Sequence, residues 1–146
     1  MDPWLQLQRE ITVRTSGQGL VDITRDVAAC VAESRVETGL CTVFITHTSA
    51  SLTIQEGADP SARRDLERFL ERLVPENDPL YTHTAEGPDD MPSHVRSALT
   101  ATTLSVPIAS RRLALGTWQA VYMWEHRRRG SNRNVIVHVL GTSRSD

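Results

Sequence analysis

Lysine is absent from the chain, and all sixteen basic residues are arginine. That absence excludes a Schiff-base mechanism, a pyridoxal-phosphate anchor and a complete Walker A phosphate loop, each of which needs a lysine amine. Cysteine is scarce as well: Cys30 and Cys41 are too far apart for CxxC chemistry, and both fall in apolar patterns. They read as buried, reduced thiols rather than a disulfide or a metal site. No apolar run approaches the eighteen residues of a membrane span, and the first residues lack the basic-then-apolar order of a secretory leader, so a cytoplasmic setting is expected. One-signed charge is lacking too. Eighteen acidic residues against sixteen basic ones leave −2, which gives no overall field toward nucleic acid or anionic lipid.

What is present is one domain's worth of core. At 146 residues and 39% hydrophobic, the chain suits a single unit and would starve a second one. Leu5–Val13 partly alternates, as an opening strand with one buried face does. Asp22 is a candidate N-cap for a helix carrying Ile23, Val27, Cys30 and Val31, with Gly39 as its stop. Leu40–Thr48 reads as a central strand with Cys41, Val43, Ile45 and His47 on one face, followed by a short strand over Ser51–Ile54. Asp59-Pro60 opens a second helix with the stripe Ala62, Leu66, Phe69, Leu70 and Leu73.

The stretch from Pro75 to Pro92 holds four prolines and several carboxylates, and predicts a long loop of the kind that carries function. A short helix with Val95 and Leu99 facing inward is expected after it. Strands over Thr103–Ile108, Arg112–Glu125 (with a break at Gly116) and Arg133–Leu140 close the chain. Their connections are too short for helical crossovers, so the sheet is antiparallel there. The fold class expected is α+β: a compact single domain over 1–146, with a β-rich, mostly antiparallel core and two to three packed helices.

Several polar residues stand in awkward places. His47 ends an apolar strand on its core-facing parity, and His83 and His94 bracket the acidic loop with Glu86, Asp89 and Asp90. A lone histidine is most simply a satisfied core residue; three beside carboxylates can converge on a metal or an anion, although no HxxxH or HExxH spacing is present. In the segment 119–125, Gln119 and Glu125 share a parity with Val121 and Met123. Glu125 either meets solvent or pairs with Arg127, Arg133 or a cation. The run Arg127-Arg128-Arg129 is a solvated turn by default and a poor nucleic-acid signature without interleaved aromatics. Arg133, held by a strand, is the better anion contact. Asp59 is explained as a cap, whereas Asp65 lies off its helix's apolar stripe.

Five motifs in this order resemble the YjbQ family, described as secondary thiamine-phosphate synthases: His47-Thr48-Ser49-Ala50-Ser51; Glu56-Gly57-Ala58-Asp59-Pro60 with Asp65; Tyr81-Thr82-His83; Asp89-Asp90-Met91-Pro92-Ser93-His94; and Leu115-Gly116-Thr117-Trp118-Gln119. Glu125 and Arg133 complete the set. The resemblance runs from about Leu7 to Gly141. It implies a homotrimer and a reaction joining hydroxymethylpyrimidine diphosphate to a thiazole phosphate with release of diphosphate. His47, Asp65, Gln119 and Glu125 are then the catalytic candidates, with Arg127, Arg133, Ser49 and Trp118 for a small phosphorylated substrate. A divalent ion, zinc or magnesium, would be held among His47, His83, His94, Asp89 and Asp90. One departure stands out. Many relatives look like Glu-x-Asp-Gly-Pro-Arg-x-Arg in the last hairpin, where this chain has Glu125-His126-Arg127-Arg128-Arg129-Gly130. The alternative implied by the same residues is a metal- or small-anion-binding protein without turnover.

Overall fold

The computed structural model describes residues 4–143. Eight strands and three helices follow in the order β1 (Trp4–Arg14), β2 (Gly19–Asp22), α1 (Thr24–Ser34), β3 (Thr38–Ile45), β4 (Ala50–Glu56), α2 (Pro60–Leu73), α3 (Asp90–Leu99), β5 (Thr103–Ala109), β6 (Arg112–Leu113), β7 (Gln119–Glu125) and β8 (Asn132–Thr142). They build a five-stranded sheet in the order β1-β8-β3-β5-β6 and a three-stranded sheet in the order β2-β7-β4. Every pairing between these strands is antiparallel. The α+β class, the antiparallel core and three helices agree with the expectation from sequence.

Strand parity assigns the layers. Cys41, Val43 and Ile45 of β3 and Val135, Val137 and Val139 of β8 pack with Val27 and Val31 of α1 and with Val121 and Met123 of β7. The even residues of β7, Ala120, Tyr122 and Trp124, face the other way, onto Leu70 and Val74 at the end of α2. β7 is therefore covered on both faces, which explains its nearly unbroken apolar sequence. The outer face of the five-stranded sheet stays open and exposes Leu40, Phe44 and Leu140. Cys30 and Cys41 are free and buried. No helix among the described residues is long and apolar enough to cross a membrane.

Several expectations need correction. Ser16–Gly19 does not simply lead into α1, because the short strand β2 intervenes and pairs with β7. Asp22 serves the helix start by accepting from the Thr24 amide at 2.9 Å, while Ile23 occupies the cap position itself. Gly39 is not the helix stop. Arg35 takes the left-handed conformation there (φ 61°), and Gly39 lies inside β3, where a Cβ would sit 2.2 Å from the Leu140 carbonyl oxygen. The strand expected over 112–125 is two strands in different sheets; Gly116 marks the crossing. α2 uses Leu66 and Leu70 but leaves Phe69 and Leu73 exposed, its stripe being wider than the narrow sheet beneath it. α3 turns Ser93, Arg96 and Ser97 inward, and Leu99 is exposed.

The loop over 74–89 has no helix or strand, as its prolines predict. It delivers His83 toward the start of α3.

Candidate metal centre

Asp90 and His94 stand four residues apart at the start of α3, so they share one helix face. His83 arrives from the proline-rich loop. Its Nε2 lies 2.7 Å from Asp90 Oδ2, and His94 Nε2 lies 3.0 Å from the same oxygen. The three ligand atoms fall within 4.8 Å of one another. Asp90 is buried, whereas His83 keeps half of its side chain in solvent. Burial by itself would push the Asp90 carboxyl up; the His83 hydrogen bond and the charges of His94 and Arg127 outweigh it and hold the group below the usual carboxylate range.

The second nitrogen of His94 is informative. Its Nδ1 lies 2.8 Å from the Thr48 carbonyl, which can only accept, so Nδ1 carries the proton. In the neutral ring Nε2 then presents a lone pair to the lone pairs of Asp90 Oδ2. Either a proton or a cation must lie between them. A ring nitrogen held by a backbone carbonyl, with its partner aimed at a carboxylate, is the usual outer-shell arrangement of a metal-bound histidine. Two imidazoles and one carboxylate suit zinc or another transition ion better than magnesium, which prefers all-oxygen shells.

His47 stands outside this ligand set. Its Nε2 accepts from the Asn134 amide at 2.9 Å, continuing the β3–β8 ladder with a side chain where β3 has ended. Its Nδ1 lies 3.3 Å from Arg133 Nη1. Burial and the Arg133 charge lower its pKa against the opposing pull of Glu125, so the ring is neutral. His47 and His94 nevertheless line one open groove of about 480 Å³ with Thr48, Ser97, Ala98 and Thr102. The groove continues over His47, Thr48 and Thr102 to Ser49, Phe44 and Arg133.

The arginines are occupied. Arg133 donates from Nε to Glu125 Oε1 at 2.8 Å and from Nη2 to Glu125 Oε2. Glu125 is fully buried and also receives Thr15 Oγ1 at 2.7 Å and the Arg127 amide at 3.2 Å. Of the options open to Glu125 in sequence, the pair with Arg133 is the one formed. Burial would raise the Glu125 carboxyl, but the bonds from Arg133 and Thr15 hold it low. Arg127 was expected at a substrate phosphate. Its side chain instead grips Asp89 (Nε to Oδ2, 3.0 Å), Asp90 Oδ1 and the Glu86 carbonyl (3.0 Å). Asp89, expected near the metal, takes Arg127 and the Arg128 amide, and it is absent from the cluster of ligand atoms.

The remaining candidates lie elsewhere. Gln119 starts the seven-residue strand that Glu125 ends, a separation of roughly 20 Å. Its Oε1 accepts from the Gly116 amide at 2.7 Å, which closes a turn. Trp118 is 64% exposed and lines a different cavity, with Glu56 and Asp59. Asp59 caps α2 through the Ser61 amide. Asp65 is exposed on α2 and makes no side-chain hydrogen bond or ion pair among the described residues. Within one chain, then, His83, Asp90 and His94 converge, His47 shares the groove with His94, Ser49 and Arg133 line its continuation, and Asp65, Trp118 and Gln119 do not join.

Sequence reasoning missed His126. It adjoins the arginine run that reads as a solvated turn, yet it is 1% exposed, and its Nε2 meets Ser51 Oγ at 2.8 Å, with Thr100 Oγ1 donating to that oxygen at 2.6 Å. Its parity with Tyr122 and Trp124 was the available signal. Burial, reinforced by the charge of Arg96, lowers its pKa to about 3. Ser51 and His126 are both sealed from solvent, so this serine–histidine pair holds the fold and has no access to a substrate. Thr15, which bonds both Glu125 and Ser131, carried no signal at all.

Two antiparallel sheets and three helices define a small α+β protein, and its His83, Asp90 and His94 side chains form a candidate ligand cluster. The family model described as UPF0047 protein YjbQ-like matches residues 9–142. A UPF0047 protein of Synechocystis is 53% identical over 93% of this chain and 92% of its own length. The UPF0047 protein YjbQ of Escherichia coli O157:H7 is 40% identical over 92% of this chain and 97% of its own. A YjbQ/UPF0047 crystal structure from Clostridium acetobutylicum superposes with a TM-score of 0.83 at 34% identity, covering 90% of this chain and 98% of that one. A YbjQ-like protein of unknown function from Sulfolobus solfataricus shares the fold, with a TM-score of 0.87 at 23% identity over 94% and 99% of the two chains. The chain belongs to the YjbQ/UPF0047 family.

Proposed function

We propose that this protein binds a divalent transition-metal ion through His83, Asp90 and His94 and presents it to a small phosphorylated molecule in the adjoining groove. The observation that carries the reading is the convergence of ligand atoms from His83, Asp90 and His94 within 4.8 Å of one another, with His94 Nδ1 held by the Thr48 carbonyl. Three protein ligands leave coordination positions for a substrate oxygen. Arg127 and Arg133 each have a carboxylate partner, so the metal is the main uncompensated positive charge available to a phosphate.

The test is elemental analysis of purified protein and calorimetric titration with Zn²⁺ and Mg²⁺. One equivalent of zinc, lost in His94→Ala, is expected; a wild-type chain that takes up neither ion ends the proposal.

Joining hydroxymethylpyrimidine diphosphate to thiazole phosphate is the enzymatic form of this reading. It draws support from the family motifs at His47, His83, Asp90 and His94, and from the need of such a displacement for charge on the leaving diphosphate. Thiamine phosphate formed by metal-loaded protein from the two halves supports it. Metal-loaded protein that binds the phosphorylated halves and yields no product points to binding without turnover. A homotrimer is proposed with it, since Leu40, Phe44 and Leu140 on the open sheet face need cover. Light scattering checks the trimer, and a monomer contradicts it. The free cysteines favour a reducing, cytoplasmic setting.

A further inference from the structure

Asp90 divides its two oxygens between different tasks. Oδ2 faces both histidines, while Oδ1 accepts from Arg127 Nη1. The guanidinium that holds Oδ1 is itself fixed on its other sides by Asp89 at 3.0 Å and the Glu86 carbonyl at 3.0 Å. Asp89 is pinned by the Arg128 amide at 3.0 Å. The Arg127 amide donates to Glu125 Oε2, so the clamp is rooted in the buried Glu125–Arg133 pair. The segment is not the hairpin expected from sequence, because it joins β7 and β8, which lie in different sheets.

Resting on the metal reading above, we infer that Arg127 is a positioning residue for the metal centre. It occupies Asp90 Oδ1, so that the carboxylate meets the ion through Oδ2 alone, and it ties the His83 loop to the connection between β7 and β8. It also sets the charge. Two carboxylates against one guanidinium leave a single negative charge, and a divalent ion would turn that into a single positive one, which suits an anionic ligand.

Charge and geometry predict opposite signs on removing Arg127. Loss of a cation beside the site should tighten metal binding if Arg127 acts only through its charge; loss of the clamp should weaken it. The experiment is titration of Co²⁺ alone into the full-length wild type, R127M, R127K and D89N, read by calorimetry and by visible absorption. R127K keeps the charge and loses the fork. Weakening of about 10–100-fold in R127M and R127K, a smaller loss in D89N and an altered Co²⁺ spectrum in all three are expected. Should R127M fail to fold, R127K and D89N decide. Affinity equal to or tighter than wild type with an unchanged spectrum overturns the inference and leaves the metal reading standing. No Co²⁺ uptake by the wild type overturns both.

Discussion

Two buried carboxylates anchor neighbouring parts of the molecule and behave differently. Glu125 is surrounded by fixed donors: two from Arg133, one from Thr15 and one from the Arg127 backbone. Asp90 has an arginine on one oxygen and, on the other, two imidazoles that are partly exposed. The first group is saturated and has nothing left to offer a ligand. The second shares one oxygen between two partly exposed imidazoles, one of which, His94, lines a groove. Full enclosure by fixed donors marks a structural pair and partly exposed ring nitrogens mark a candidate site, although in sequence both show only an acid near arginines and histidines.

Breaking the saturated pair should have the largest effect. Arg133→Met strands a fully buried carboxylate and is expected to cost about 3–5 kcal/mol by denaturant unfolding. Next comes the open cluster: Zn²⁺ at a hundred times its Kd should stabilise the wild type by about 2.7 kcal/mol and leave His94→Ala unmoved, as thermal melts would show. If zinc stabilises the His94 variant equally, the contrast between the two carboxylates fails.

His126 gives a pH handle on the saturated side. Its folded pKa of about 3 lies below the ordinary 6.5, so the unfolded chain binds more protons between those values. Its contribution is complete above pH 6.5 and falls by about 1.4 kcal/mol per unit as the pH drops toward 3. His126→Gln should flatten that slope in denaturation curves taken between pH 6 and 4. The smallest effect is expected at Asp65: Asp65→Ala should shift stability by less than about 0.5 kcal/mol and leave zinc affinity unchanged. A larger change in either would place it in the centre after all.

Much of the fold was legible. Partial alternation placed β1, a β-branched and apolar run placed β3, and strands were legible over parts of 112–125 and over 133–140; the Asp59-Pro60 start of α2 obeyed local capping chemistry, and the prolines of 75–88 forbade regular structure. The β2 strand was not legible, because four residues after a glycine-rich break carry too little period. Nor was the parting of 112–125 into two sheets, since pairing partners are distant in the chain. In the site, His83, Asp90 and His94 were legible as candidate ligands by residue type and motif, whereas the helical spacing of Asp90 and His94 was not, because Asp90 falls in the stretch that reads as loop. That Asp89 would turn to Arg127 while Asp90 turned to the histidines was not, because adjacent residues on a helix start point about 100° apart and the start was unknown.

From the sequence alone came the family, the α+β class and the identity of the residues able to ligate a metal, because composition, periodicity and capping act over a few neighbouring residues. Only the folded chain decided which of those residues meet. Contacts such as His94–Thr48, 46 residues apart, and Arg127–Asp90, 37 apart, depend on how the sheets and the proline-rich loop close on each other. Spacing along a chain cannot encode the direction in which a side chain arrives.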